Sequence, residues 1–222
     1  MEYATVMELW QHAQDLVGKT GAELMATGRH CNGNLNPNDK GIIGKVVEEF
    51  LLPGHTDNKQ GVPDCEEIGT EIKTTGIIGR SNDAYVAKDR LMLGMINYQA
   101  LGEEIWETST LRKKCANMLI VPYLYDKRVP PLERRFCQAP FLVTLDDELE
   151  ADWTTIRNAI KNDEAQKLSS RNTQWLCAAT KGPGGQNRGW RPSAHGEALV
   201  RSRAFALKAA YVTQLMTKSL AN

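Results

Sequence analysis

The chain has 222 residues and a mass of 24.7 kDa, enough for one domain with a sizeable core or for two small lobes. Hydrophobic residues at 41% and charged residues at 24% are ordinary for a globular protein, and 27 Lys plus Arg balance 27 Asp plus Glu, which excludes a uniformly basic polyanion binder and leaves any basic surface local. Five cysteines without a CxxC spacing suggest neither a disulfide framework nor a zinc site, and the acid-bearing N-terminal stretch is unlike a secretory signal, so a reducing cytoplasm is the expected compartment.

Val6, Leu9, Trp10, Ala13, Leu16 and Val17 recur at helical spacing, and Gly18 ends the run. Gly21 to Thr27 predicts a second short helix, and Arg29 to Lys40 a polar loop rich in turn residues. Asp39 then caps a predicted helix from Gly41 to Leu52 whose apolar arc is Ile42, Ile43, Val46, Val47, Phe50 and Leu51. Glu49 lies one turn after Lys45 and is expected to pair with it. Glu48 lies one turn after Gly44 beside Leu51 and Leu52, which makes it the inward-facing candidate; a helix-surface glutamate is the other reading.

The stretch Gly61 to Thr75, GVPDCEEIGTEIKTT, carries the densest chemistry. Its second half alternates as a strand, with Glu71 and Lys73 on one face and Ile72 on the other. Pro63 and the acidic run before Ile68 predict a turn or short strand that returns Asp64 to Glu71. Two converging carboxylates form an oxygen site suited to Mg²⁺, and a lysine beside them can orient or deprotonate an attacking water. On spacing alone a solvated Glu71–Lys73 pair stands as the alternative to a metal-dependent phosphodiesterase.

A turn over Gly76 to Asp83 is expected next, then a strand over Arg90 to Tyr98 beside the first. Thr108 or Ser109 caps a basic helical segment, Leu111 to Lys114. Met118 to Leu124 predicts an apolar strand, which Pro122 places at an edge or brings to an end, and Pro140 to Leu145 predicts another. Asp147 to Ala159 predicts a helix with Trp153 and Ile156 inward. Trp175 to Thr180 is strand-like, and the Gly-rich loop Lys181 to Arg191 follows it with Lys181, Arg188 and Arg191. It is either a phosphate- or base-contacting loop or an ordinary surface connection. Phe205 to Leu220 predicts a closing amphipathic helix with Leu207, Tyr211, Leu215 and Met216 on its packed side. The order of elements predicts an α+β fold, or a mixed α/β/α sandwich around a small central sheet.

DKGIIGKVVEEFL at Asp39 to Leu51, the Asp64, Glu71, Lys73 unit ending GTEIKT, and WETSTLRKK at Trp106 to Lys114 together resemble the MutH-like endonucleases, with their GATC-cutting type II restriction relatives, of the PD-(D/E)xK superfamily. The resemblance extends weakly over nearly the whole chain. It implies a restriction-endonuclease-like fold, a central mixed sheet flanked by helices, in one nuclease domain over 1–222. Two lobes would form a DNA cleft, with a catalytic core at about 39–145 and a recognition part at about 170–222. It implies that Asp64, Glu71 and Glu48 hold Mg²⁺, that Lys73 assists the water, that Lys40 lies near DNA, and that Lys181 lies near the recognition bases. Arg188 and Arg191 are the further DNA-binding candidates. The expected partner is double-stranded DNA and the expected activity that of a type II restriction enzyme, acting as a homodimer or by two nicks, in a bacterial cytoplasm. The alternatives are a mismatch-repair nickase activated by a MutL-like partner and a DNA-binding protein that does not cut. The chain departs from the repair members at Ala179-Thr180-Lys181, where they carry Arg-Pro-Lys, and at Ala206, where they carry a tyrosine associated with sensing adenine methylation. Neither target sequence nor methylation response therefore carries across.

Overall fold

The computed structural model of the chain describes residues 2–27, 36, 39, 41–54, 61–80, 84–181, 189–196 and 198–220. Three helices open it: α1 (Val6–Gln14), α2 (Gly21–Ala26) and α3 (Ile42–Leu51). Thr5 caps α1 by accepting the Glu8 N–H, and Thr20 and Glu23 form a reciprocal capping box on α2. The predicted arc of α3 is buried except for Phe50, which is half-buried. Two details differ from expectation. Gly41 is the N-cap, with Asp39 Oδ1 accepting its N–H at 3.0 Å, and Lys45 turns back to Asp39 at 2.5 Å instead of forward to Glu49. Asp39 is already fixed at the amino end, whereas Glu49 accepts from the Gly54 N–H.

The main sheet holds β1 (Thr70–Gly79), β2 (Tyr85–Ala87), β4 (Asn117–Leu124) and β5 (Phe141–Thr144) in the order β2-β1-β4-β5. β1 and β4 are parallel and the outer pairs antiparallel. The turn expected from Gly76 is instead the end of β1, because Ile77 is buried and pairs with both Ala87 and Leu124; residues 81–83 lie outside the described ones. β4 is an interior strand, not an edge. Pro122 is tolerated because pairing with β5 ends at Ile120, so its missing N–H interrupts no bond on that side.

A second sheet has the order β3-β9-β6, from β3 (Leu91–Met95), β6 (Leu176–Thr180) and β9 (Arg203–Leu207). This corrects two expectations. β3 pairs with β9, not with β1, and Phe205 to Leu207 are strand, the last helix beginning at Ala209. Residues 203 to 207 are all buried between two neighbouring strands, a strand's environment, while Leu207 falls by coincidence in register with the helical Tyr211 and Leu215. The remaining elements are α4 (Tyr98–Leu101), α5 (Thr110–Cys115), α6 (Glu150–Lys161), the ribbon β7 (Trp190–Pro192) with β8 (Leu199–Arg201), and α7 (Ala209–Leu220).

β4 shows how the layers form. Leu119 and Val121 join Ile72 and the residues of α1 to α3 in one core, while Met118 and Ile120 join Ile77, α5, α6, α7 and the second sheet in the other. A strand buried on both faces explains the unbroken apolar run MLIV. The result is a mixed α/β fold with a mixed sheet flanked by helices. Among the described residues no helix is long and apolar enough to cross a membrane.

Candidate active site

Cys65 and Thr70 exchange two backbone hydrogen bonds at 3.0 Å, closing a tight hairpin immediately before β1. Gly69 takes φ of +59° in that turn, a conformation that glycine reaches without strain. The hairpin brings Asp64 back beside Glu71 as the sequence predicts. Asp64 Oδ2 accepts the Ile72 N–H at 2.9 Å, and Glu71 Oε2 accepts the Asp64 N–H at 3.1 Å. Glu71 thus holds the backbone of Asp64, Asp64 holds that of the residue after Glu71, and both acids are buried.

The alternation of β1 sends Ile72 into the helical core, and Glu71 and Lys73 to the opposite face, toward the second sheet. Lys73 Nζ donates to Glu71 Oε1. Burial pulls the Lys73 ammonium down, but the Glu71 and Asp64 carboxylates outweigh it and hold it above the ordinary lysine value. Burial pushes the Glu71 carboxyl up against the opposing pull of Lys73. Glu48 stands half-buried on α3, on the face where Gly44 approaches Thr74 of β1. Burial and the nearby Asp64 carboxylate push its acid up to about 7. The inward reading of Glu48 therefore holds: it senses Asp64, Glu71 and Lys73.

One residue of this cluster was absent from the sequence expectations. Lys114, at the end of α5, places Nζ 3.0 Å from Glu71 Oε2 and 4.0 Å from Asp64 Oδ1, and donates to the Val62 carbonyl at 2.8 Å. A signal existed: Leu111 and Cys115 form the buried stripe of α5, and Lys114 lies three residues after Leu111 on the same side.

A cavity of about 520 Å³ opens over this cluster, lined by Glu71, Lys73, Lys114, Met95 and Lys181 among others. Lys181 is exposed at the end of β6 and reaches the same space. Arg191, exposed on β7, lines an adjoining cavity of about 320 Å³. Lys40 and Arg188 lie outside the described residues. The structure thus draws together Glu48, Asp64, Glu71 and Lys73, adds Lys114, and keeps Lys181 and Arg191 along the opening.

Among the described residues no three acid, thiol or imidazole side chains form a ready metal cage. Mg²⁺ needs less, since it binds through one or two carboxylates and keeps its waters. The donor set fits that requirement. Asp64 and Glu71 offer hard carboxylate oxygens held side by side, and Glu48, whose acid is raised first by burial and then by the nearby Asp64 carboxylate, adds a third close by.

Two acids and a lysine thus lie on a hairpin and the strand that follows, beside a cleft in a mixed α/β fold. The chain is similar to the MutH-like nucleases. The family model described as DNA mismatch repair enzyme MutH matches residues 54–159. The type II restriction enzyme Sau3AI of Staphylococcus aureus is 28% identical over 221 residues, which cover 97% of this chain and 43% of that protein. The DNA mismatch repair protein MutH of Vibrio campbellii is 27% identical over 221 residues, 97% of this chain and 94% of that protein. The chain therefore spans less than half of the restriction enzyme and nearly all of the repair protein. Among solved structures, a restriction endonuclease MvaI–cognate DNA complex aligns over 94% of this chain and 93% of that one, at a TM-score of 0.42 and 13% identity, a likeness too loose to carry an argument.

Proposed function

We propose that the protein is a Mg²⁺-dependent, sequence-specific DNA endonuclease acting as a type II restriction enzyme, on a short site that is GATC or related to it. The observation that carries this reading is the cluster of Asp64, Glu71, Lys73 and Lys114, with Glu48 beside it, at a cavity that Glu71, Lys73 and Lys114 line. The names of the relatives add weight: one is a type II restriction enzyme and the other a mismatch-repair protein.

Asp64 and Glu71, with Glu48, would hold the ion, which supplies Lewis acidity and charge neutralisation at the scissile phosphate. The chain's own residues do the rest. Lys73, firmly an ammonium beside Glu71, suits orienting the attacking water and stabilising negative charge on the phosphoryl oxygens better than removing a proton. Lys114 doubles that positive charge from the other side of Glu71. Water adds to phosphorus as the bond to the 3′ oxygen breaks, leaving a 5′ phosphate and a 3′ hydroxyl. Lys181 and Arg191 would bind DNA along the opening, and Lys40 and Arg188 remain the further DNA-binding candidates. Cutting both strands needs two active sites, hence a homodimer on DNA or two successive nicks.

The test is cleavage of unmethylated and adenine-methylated plasmid with Mg²⁺ or EDTA, with the ends mapped by sequencing. Discrete Mg²⁺-dependent double-strand breaks are expected, and Asp64→Ala should lower the rate by about 10²–10³-fold or more. Full cleavage by that variant would sink the reading. The coverage of nearly the whole repair protein favours one second reading, a nickase activated by a MutL-like partner. It would show single-strand nicks only when the partner is added.

A further inference from the structure

The catalytic cavity does not end at the acids. Met95, Ile96 and Asn97 form its floor and also the floor of the adjoining cavity, whose walls include Gln99 and Arg191. Two neighbouring cavities, sharing these three residues, therefore form a trough that leads from Glu71, Lys73 and Lys114 past the corner between β3 and α4 toward the β7–β8 ribbon.

That corner is built to present side chains. Pairing of β3 with β9 slips between Met92 and Gly94, so Gly94 stands opposite Phe205 and Met95 opposite Ala204. Without the slip Met95 would share the inward face of Leu91 and Leu93; with it, Met95 turns to the outer face and is 42% exposed. Asn97 Oδ1 accepts the N–H groups of Gln99 and Ala100 at 3.2 and 3.3 Å, setting the first turn of α4 and leaving Gln99 exposed. The Tyr98 hydroxyl donates to the Arg201 carbonyl at 2.6 Å, tying the corner to the ribbon that carries Arg191. Gln99 and Arg191 thus line one cavity from elements that this bond joins.

We propose that this corner reads bases: Gln99 recognises an adenine edge in the DNA target, and Met95 makes the apolar contact beside it. A carboxamide offers one acceptor and one donor group without charge, the complement of adenine N6 and N7, and an exposed apolar side chain on the floor of a DNA trough suits base or sugar contact. The proposal rests on the endonuclease reading.

Selection from a randomised duplex pool, by binding in Ca²⁺ and in parallel by cleavage in Mg²⁺, tests both separately. The parent should enrich one site. Gln99→Ala should lose discrimination at one A·T pair of that site by about 10- to 100-fold while keeping it elsewhere, and Met95→Ala should weaken binding to the enriched site. If Gln99→Ala enriches the same site with unchanged discrimination at every position, the corner does not read bases and the endonuclease reading stands. If the parent enriches no site and cuts nothing, both fall.

Discussion

Glu71 is held by three donors, the ammoniums of Lys73 and Lys114 and the N–H of Asp64, and that number decides what each substitution should do. Lys114→Ala removes one charged partner from a fully buried carboxylate, a change that costs about 3–5 kcal/mol when such a pair is broken. A clear fall in the urea midpoint together with loss of cleavage is expected, and Lys114→Arg should restore stability better than rate. A midpoint equal to that of the parent would show that Lys114 is not part of the cluster in solution. Glu48 gives a pH dependence with a definite sign. Its acid is raised from an ordinary 4.5 to about 7, so between those values the folded chain binds more protons than the unfolded one. Stability contributed by Glu48 is present below the lower value and lost as pH rises through the upper. In EDTA, urea midpoints should therefore fall from about pH 5 to about pH 7.5, and Glu48→Gln should flatten that slope. Asp64, Glu71 and Lys73 were legible because they lie in one short run whose period and turn residues fix their geometry. Lys114 was not, because its contact exists only once α5 docks on β1.

Elements carry the site through a few anchors. Asp152, buried on α6, accepts the N–H groups of Gln174, Trp175 and Leu176 at 2.7, 2.6 and 2.8 Å, clamping the start of β6 and so the strand that leads to Lys181. Asp152→Ala orphans all three, and a loss of roughly 3 kcal/mol or more by denaturant titration is expected, with Asp152→Asn recovering part of it. A loss under about 1 kcal/mol would mean that the clamp is replaced by water. Ser109 caps α5 by accepting the Arg112 N–H, and Ser109→Ala should cost about 1 kcal/mol and slow cleavage by loosening the helix that carries Lys114. Helices were the readable elements: α1, α2, α3, α5 and α6 lie where they were expected, α5 with its predicted Ser109 cap, although α3 is capped at Gly41 and not at Asp39. Strand partners were not: the apolar content of Arg90 to Tyr98 says that the segment is buried, but only β9 decides that it joins the second sheet, and β9 itself read as helix.

At the scale of the molecule, equal numbers of acids and bases mean that, on the proposed reading, DNA would be held by the trough and not by a general field. Affinity for DNA should fall with added salt, with a slope that reflects only a few phosphate contacts, and Lys181→Ala should reduce that slope by about one if the lysine holds a phosphate. An unchanged slope would place Lys181 on a base or out of contact. The mixed α/β order was visible in the sequence; its division into two sheets was not, because pairing between distant strands leaves no local trace. Most of the chemistry proposed for cutting sits in one unbroken run, Asp64 to Lys73, while the trough draws Met95, Gln99, Lys181 and Arg191 from other stretches of the chain. Blade and address are thus written in different places. A lineage could retarget the protein by drifting at the corner and the ribbon, one residue at a time, without ever passing through a form that had lost its edge.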